Sequence, residues 1–145
     1  MSKGVLRRTL VACGVMTVLA VPAFTQGTGG LPALSRLEPG LWQLRDLDNR
    51  QAPARSICVA DPGLLIQVQH RNAPCSRVVI ASSPRDATVH YTCPAGGFGR
   101  THLRVETARL AQIDTQGISD NAPFAYRFEA RRTGACGGAR GRAGR

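Results

Sequence analysis

The sequence predicts a small α+β protein that is mainly β: a curled antiparallel sheet of six or seven short strands with one short helix and two disulfides. Three observations support this fold class. Apolar and polar residues alternate with a period of two in several short segments, most regularly from residue 124 to 131. Turn-forming residues separate these segments. Four cysteines follow a candidate export signal, and an even number in that context predicts two disulfides.

The first 23 residues have the three parts of a secretory signal peptide: a basic start, an apolar run, and small residues before a predicted cleavage after Ala23. The apolar run is shorter than the about 20 residues of a spanning helix and ends at Pro22. Lipidation of Cys13 is the alternative, but the apolar run continues past it. We therefore predict a periplasmic or secreted protein with no integral membrane segment after cleavage. The basic residues are Lys3, Arg7 and Arg8.

Composition divides the remaining chain into three parts. Residues 24–35 are rich in glycine and proline and are predicted to be a linker. Residues 36–136 are predicted to form a single disulfide-stabilised β-rich domain. Residues 137–145 contain only Gly, Ala and Arg, so a disordered tail is expected there.

Local patterns place the elements of this domain in order. Asp61 is a suitable N-cap and Pro62 a suitable first residue for the one short helix, which should end near His70. A hairpin is expected around Pro84, and a turn is expected near Gly117. Trp42 shares a strand face with Leu44, which predicts a core position. The predicted strands cover about residues 41–47, 52–59, 76–81, 87–93, 101–107, 110–113 and 124–131.

The four cysteines of the predicted domain allow three pairings. We favour Cys58–Cys75 with Cys93–Cys136, because this pairing needs no bond between directly opposed strands of one hairpin. The alternative, Cys75–Cys93 with Cys58–Cys136, is supported by a hairpin centred on Pro84 that places Cys75 opposite Cys93. A one-residue slip would move those two cysteines to opposite faces. The third pairing, Cys58–Cys93 with Cys75–Cys136, also stays open.

No pattern in the sequence predicts a catalytic centre, a cofactor or a metal site. The cysteine spacings lack a C-x-x-C pair, and the glycines at 96, 97 and 99 precede a strand rather than the helix that a phosphate loop needs. His90 and His102 fall on polar strand faces without a nucleophile motif. The formal charge is +10, of which three charges leave with the signal; an anionic partner and a merely solvated surface are the two interpretations of this charge. No nucleic-acid partner is predicted for an exported protein.

Five local patterns in order resemble domain-of-unknown-function family 3617, a family of small exported bacterial proteins. The resemblance covers about residues 37 to 136 and implies an envelope location and a small disulfide-bonded domain. That family has no established activity, so the resemblance implies no functional residue. The chain departs from the family pattern between Arg109 and Pro123. The matching residues are Leu37 to Trp42, Cys58 before the helix, Cys75 before a strand, Tyr91-Thr92-Cys93-Pro94, and Arg131 to Cys136.

The specific biochemical function is unknown from the sequence, and so is the oligomeric state. The leading hypothesis is a non-enzymatic exported domain that binds a ligand or an envelope partner. One alternative is a small envelope hydrolase with a site near His90 and His102. Another is an electrostatic binder of an anionic envelope lipid or polysaccharide.

Overall fold

The computed structural model describes residues 30–94 and 96–137, which form one antiparallel sheet of seven strands and two 3-10 helices, η1 and η2. The strand order is β2-β1-β7-β6-β5-β4-β3, so β2 and β3 are the edges of an open sheet. This confirms the predicted, mainly β fold class. The elements are η1 Leu34–Arg36, β1 Gly40–Asp46, β2 Arg55–Val59, η2 Pro62–Gln67, β3 Ser76–Ser82, β4 Asp86–Thr92, β5 Phe98–Thr107, β6 Leu110–Ser119 and β7 Ala122–Gly134.

One face of the sheet packs on the two 3-10 helices and forms the core, which we call the inner face. The period-two pattern predicted these inward positions correctly, because Trp42, Leu103 and Phe128 are all buried. Trp42 is fully buried, and its indole N–H donates to the Glu38 carbonyl at 3.1 Å. The opposite, outer face carries the polar residues of the same strands, among them His102.

The core begins earlier in the chain than the predicted domain start at residue 36. Ala33 is fully buried, and Leu31 and Leu34 pack against the core cluster. Part of the predicted linker 24–35 therefore belongs to the folded domain. The predicted signal peptide, its cleavage after Ala23 and most of the predicted tail lie outside the described residues.

The predicted helix is present, but it is a 3-10 helix. Asp61 caps it as predicted: its side chain accepts from the Gly63 N–H at 2.9 Å, and Pro62 occupies the first turn. The helix ends at Gln67 rather than near His70. Its position on the core comes from a buried threonine, because Thr101 on β5 donates to the Ile66 carbonyl at 2.6 Å.

The predicted turn near Gly117 is wrong. Strand β6 continues through this residue, and the chain turns at Asp120 and Asn121, whose φ angles of 51° and 61° are left-handed. Gly117 is required for close packing instead. A Cβ there would lie 2.6 Å from the Gly99 Cα and closer still to the Phe98 carbonyl oxygen.

The favoured disulfide pairing, Cys58–Cys75 with Cys93–Cys136, is also wrong. The structure joins Cys75 to Cys93 and Cys58 to Cys136, with Cα atoms 4.1 Å and 5.4 Å apart. The first pair directly follows the last ladder pair of the β3–β4 hairpin, and an irregularity at Ile80 sets the register there. The second pair forms because the chain after β7 passes the start of β1 and reaches β2.

Two features bear on the environment of the protein. The disulfides indicate an oxidising or extracellular compartment, because thiols are kept reduced in the cytosol. Within residues 30–94 and 96–137, neither helix has the length and apolar composition that crossing a membrane requires.

Candidate functional site

The structure places the two histidines of the predicted hydrolase site on the outer face of neighbouring strands. His90 on β4 lies opposite Arg100 on β5, and His102 lies opposite Thr88. The Thr88 hydroxyl and His102 Nδ1 share a hydrogen bond of 3.1 Å. His70 is remote from this face; its Nδ1 shares a hydrogen bond of 3.2 Å with the hydroxyl of Tyr91, a buried inner-face residue.

His102 has a hydroxyl on one side and a carboxylate on the other, which is the order of groups in a nucleophilic triad. The carboxylate of Asp86 is 3.8 Å from His102 Nε2, and both side chains are nearly half exposed. An acyl-transfer site also needs donors for the developing oxyanion. Here Thr88 and His102 lie within paired strands, where the ladder engages the main-chain N–H groups. The geometry therefore supports a hydrogen bond between Thr88 and His102 more directly than it supports hydrolysis.

A second site, which we call the corner hollow, lies between the two 3-10 helices and the inner face of β3 and β4. Its volume is about 890 Å³. Apolar side chains form most of its wall, with one arginine and one aspartate among them. Its lining consists of Gly30, Leu31, Leu34, Ser35, Leu37, Pro39, Asp61, Pro62, Gly63, Arg77, Val79 and Val89.

Arg77, an exposed residue of the edge strand β3, is held by three hydrogen bonds where the corner hollow meets η2. Its Nε and Nη2 donate to Gln67 Oε1 at 3.2 Å and 2.7 Å, and Nη2 also donates to the Gly63 carbonyl at 3.1 Å. These bonds engage three of the five N–H donors of a guanidinium. Among the described residues, the two N–H groups of Nη1 have no acceptor, and Arg77 has no ion pair with a carboxylate.

Gln67 fixes the orientation of Arg77. It is only 3% exposed, and its amide nitrogen donates to the carbonyls of His70 and Ala73, each at 2.9 Å. Because both amide hydrogens are engaged there, the amide oxygen must face Arg77. A buried side chain with one allowed orientation thus positions a guanidinium that is itself partly in solvent.

Gly63 and Asp61 complete the polar side of the corner hollow. A Cβ at Gly63 would lie 2.9 Å from Arg77 Nη1, so the absence of a side chain leaves room for the guanidinium. Asp61 contributes a negative charge, but its Oδ1 is engaged with the Gly63 N–H and it makes no ion pair with Arg77 among the described residues.

The corner hollow opens at an exposed apolar edge. Val79, which lines it, is 45% exposed, and its strand neighbours Val78 and Ile80 are 64% and 52% exposed.

Sequence reasoning placed Arg77 in a strand and Gln67 in a helix, but it did not bring them together. The one available signal was a glutamine in the otherwise apolar run from Leu64 to Val68.

Comparisons with protein-family models, with curated proteins and with solved structures found no match for this chain. Within the described part of the chain, no group of three or more His, Cys, Asp or Glu residues could hold a metal ion. The function proposed below therefore rests on the geometry of the chain's own residues.

Proposed function

We propose that the chain is a non-enzymatic, exported binding domain that holds an anionic amphiphile in the corner hollow. The apolar part of the ligand would contact Leu34 and Val79, and its acid group would bind Arg77. The observation that carries this proposal is the clamped guanidinium, with two free donors, at the edge of an apolar hollow. Ligand sites are commonly concave and mostly apolar, with a few well-placed polar groups and volumes of about 300–1,000 Å³.

The charges of the corner hollow favour binding of an acid group at Arg77 Nη1. The two N–H donors of Arg77 Nη1 are uncommitted, and a hydrogen bond from a charged donor to an anion is about twice as strong as one between neutral groups. Asp61 opposes the binding of an anion, although its capping bond keeps it beside Gly63. Removing the negative charge of Asp61 should therefore strengthen binding of the anionic ligand. Removing the positive charge of Arg77 should weaken it.

A periplasmic or secreted location fits such a ligand, because amphiphiles are components of the cell envelope. The signal-peptide pattern and the two disulfides support this location. The resemblance to family 3617 implies the same location and stays a prediction. Mass spectrometry of the mature protein should find an N-terminus within a few residues of Phe24, whereas an intact Met1 or a lipidated Cys13 would contradict export by cleavage.

The binding experiment uses the mature, disulfide-bonded protein and dodecyl phosphate below its critical micelle concentration, followed by amide NMR shifts. Shifts should cluster at η1, η2 and β3. Arg77→Gln should weaken binding at least about tenfold, since a hydrogen bond to a charged group contributes about 1.5–3 kcal/mol and 1.4 kcal/mol is about a factor of ten. Asp61→Asn should tighten binding and keep the helix cap, because Asn caps as well as Asp. Arg85→Gln, on the exposed β3–β4 turn, is the matched control and should leave the affinity unchanged.

Two results would contradict this proposal. If dodecyl maltoside binds as tightly as dodecyl phosphate and Arg77→Gln has no effect, the corner hollow does not recognise an acid group. If neither amphiphile shifts resonances of the hollow, it is not a binding site for amphiphiles. Weaker binding by Asp61→Asn would instead show that the ligand head contacts Asp61 as a donor, which contradicts an anionic head.

Hydrolysis at the outer face is the second candidate function, favoured by the contact between Thr88 and His102. It predicts turnover of a simple ester such as p-nitrophenyl acetate, lost in both Thr88→Ala and His102→Gln. Turnover that survives Thr88→Ala would remove Thr88 as the nucleophile and contradict this candidate.

A further inference from the structure

In the described part of the chain, the outer face of the sheet carries a row of polar side chains that are not hydrogen-bonded to one another or to their neighbours. His90, Arg100 and Gln116 lie opposite each other on β4, β5 and β6. Among the described residues none of the three makes a side-chain hydrogen bond, and Arg100 makes no ion pair. In the next row His102 is bonded to Thr88. The first row is therefore available to a ligand.

This row forms the centre of a groove across four strands, which we call the outer groove. It consists of two adjoining hollows of about 440 and 570 Å³ that share Arg100, Gln116 and Ala125. It lies on the opposite side of the sheet from the corner hollow. Phe98 and His90 line one end, Arg100 and Gln116 the centre, and Asp114 and Arg127 the other end.

An aromatic surface forms the first end of the outer groove. Phe98 is 41% exposed, one of only four large hydrophobic residues that are exposed in the described part of the chain. The His90 ring lies beside it, with centroids 6.0 Å apart and planes tilted by 32°. Ile118 is opposite Phe98 on β6 and extends the apolar area. A flat apolar ring face can be covered by this platform, while the polar centre of the groove contacts the groups around the ring.

We propose that the outer groove binds an acidic polysaccharide. Donors and acceptors are interspersed along it, with Arg100 as a donor, Asp114 as an acceptor and Gln116 as both, and hydroxyl groups can pair with either kind. Arg100 would bind the acid group of a sugar unit while the ring lies on Phe98. The groove is open and crosses several strands, so a chain can continue past both ends.

The residues of the outer groove disfavour a lipid chain or a nucleic acid as the ligand. A lipid chain needs an apolar wall along its whole length, and the large apolar residues of the outer groove, Phe98, Ile118 and Phe124, lie at one end of it. A nucleic acid brings a phosphate at every step, and Asp48 and Asp114 would face this series of charges at the far end. An acidic saccharide with its charge at Arg100 can place hydroxyl groups against these carboxylates.

The test is a titration of the mature, disulfide-bonded protein with sialyllactose, a trisaccharide that carries a single carboxylate, compared with neutral maltotriose, by amide NMR shifts. Sialyllactose should shift resonances of β5 and β6 around Arg100 and bind at least tenfold more tightly than maltotriose. Arg100→Gln should weaken binding of the acidic sugar about tenfold and leave maltotriose binding unchanged. Phe98→Ser should weaken both sugars several-fold. Arg104→Gln is the matched control, since Arg104 lies on the same strand and face but pairs with Glu106 at 3.5 Å.

These outcomes distinguish binding in the outer groove from attraction by the overall positive charge. Equal weakening by Arg100→Gln and Arg104→Gln would mean that only the overall charge attracts the sugar, and would overturn the proposal. So would shifts that lie outside β4 to β7, or no difference between the acidic and the neutral sugar. Circular dichroism of each variant checks that the fold is kept, and a folded Arg100→Gln protein with unchanged affinity would also overturn the proposal.

Discussion

Replacing Gln67 with methionine should lower the free energy of unfolding by about 3–4 kcal/mol. The buried amide makes two hydrogen bonds to carbonyls and accepts two from Arg77. Each such bond contributes about 1 kcal/mol net, and we use this lower value for the bonds from Arg77 because its side chain is partly in solvent. Methionine fills a similar volume, so little cavity term should add to this loss.

The same substitution should remove most of the effect of changing Arg77. Arg77→Met alone should cost about 1–2 kcal/mol, and the double variant should cost less than the sum of the two single variants by a similar amount, because residues that contact one another are energetically coupled. Urea unfolding of the oxidised protein, followed by Trp42 fluorescence, measures all three values. Gln43→Met is the matched control: Gln43 is exposed on β1, so its replacement should change stability by no more than about 0.5 kcal/mol.

A cost below about 1 kcal/mol for Gln67→Met, or a coupling energy near zero, would refute the reasoning. Either result would mean that the amide does not hold the guanidinium. Arg77 would then be a mobile surface residue, and the proposed binding of an acid group in the corner hollow would lose its support. The affinity of the Gln67→Met protein for dodecyl phosphate gives a second measure, because a guanidinium that is no longer positioned should bind it several-fold more weakly.

Two further predictions concern single residues. Trp42→Ala should destabilise the protein by about 3–5 kcal/mol in urea unfolding followed by circular dichroism, because a fully buried indole leaves a cavity, and a cost below about 1 kcal/mol would contradict its place in the core. The hydrogen bond from Arg127 lowers the pKa of Asp48, so Arg127→Gln should raise that pKa toward its ordinary value in a carboxyl ¹³C NMR titration. This ion pair supports the fold above the unfolded-state pKa and is lost as the pH falls through the lowered folded pKa. An unchanged pKa in the variant would show that the pair does not persist in solution.

The parts of the fold that depend on residues close together in the sequence were predictable from the sequence. Alternation assigns a strand residue to one of two faces without any knowledge of the partner strand, and Trp42, Leu103 and Phe128 lie on the face that alternation indicates. The cap by Asp61 was predictable for the same reason, because its partner is the N–H two residues further on.

The features that depend on sheet order or register were not predictable in this way. Whether Cys75 meets Cys93 depends on the register at the open end of a hairpin, and the irregularity at Ile80 changes that register between the turn and the open end. Gly117 suggested a turn because glycine is common in turns, but it is needed where two strands approach closely. Arg77 and Gln67 meet only because β3 passes beside the end of η2.

The positive charge of the chain does not by itself identify a binding site, because some of its arginines are already paired. Five arginines lie within reach of a carboxylate, and a partner would have to compete with those contacts. Arg77 and Arg100 differ from these five, because each lines a hollow and neither has an acidic partner in the described part of the chain. Arg77 is also held by a buried side chain, so it loses less freedom when a ligand binds. An acid group should therefore prefer these two positions over the five paired arginines. The paired arginines are Arg104, Arg109, Arg127, Arg131 and Arg132.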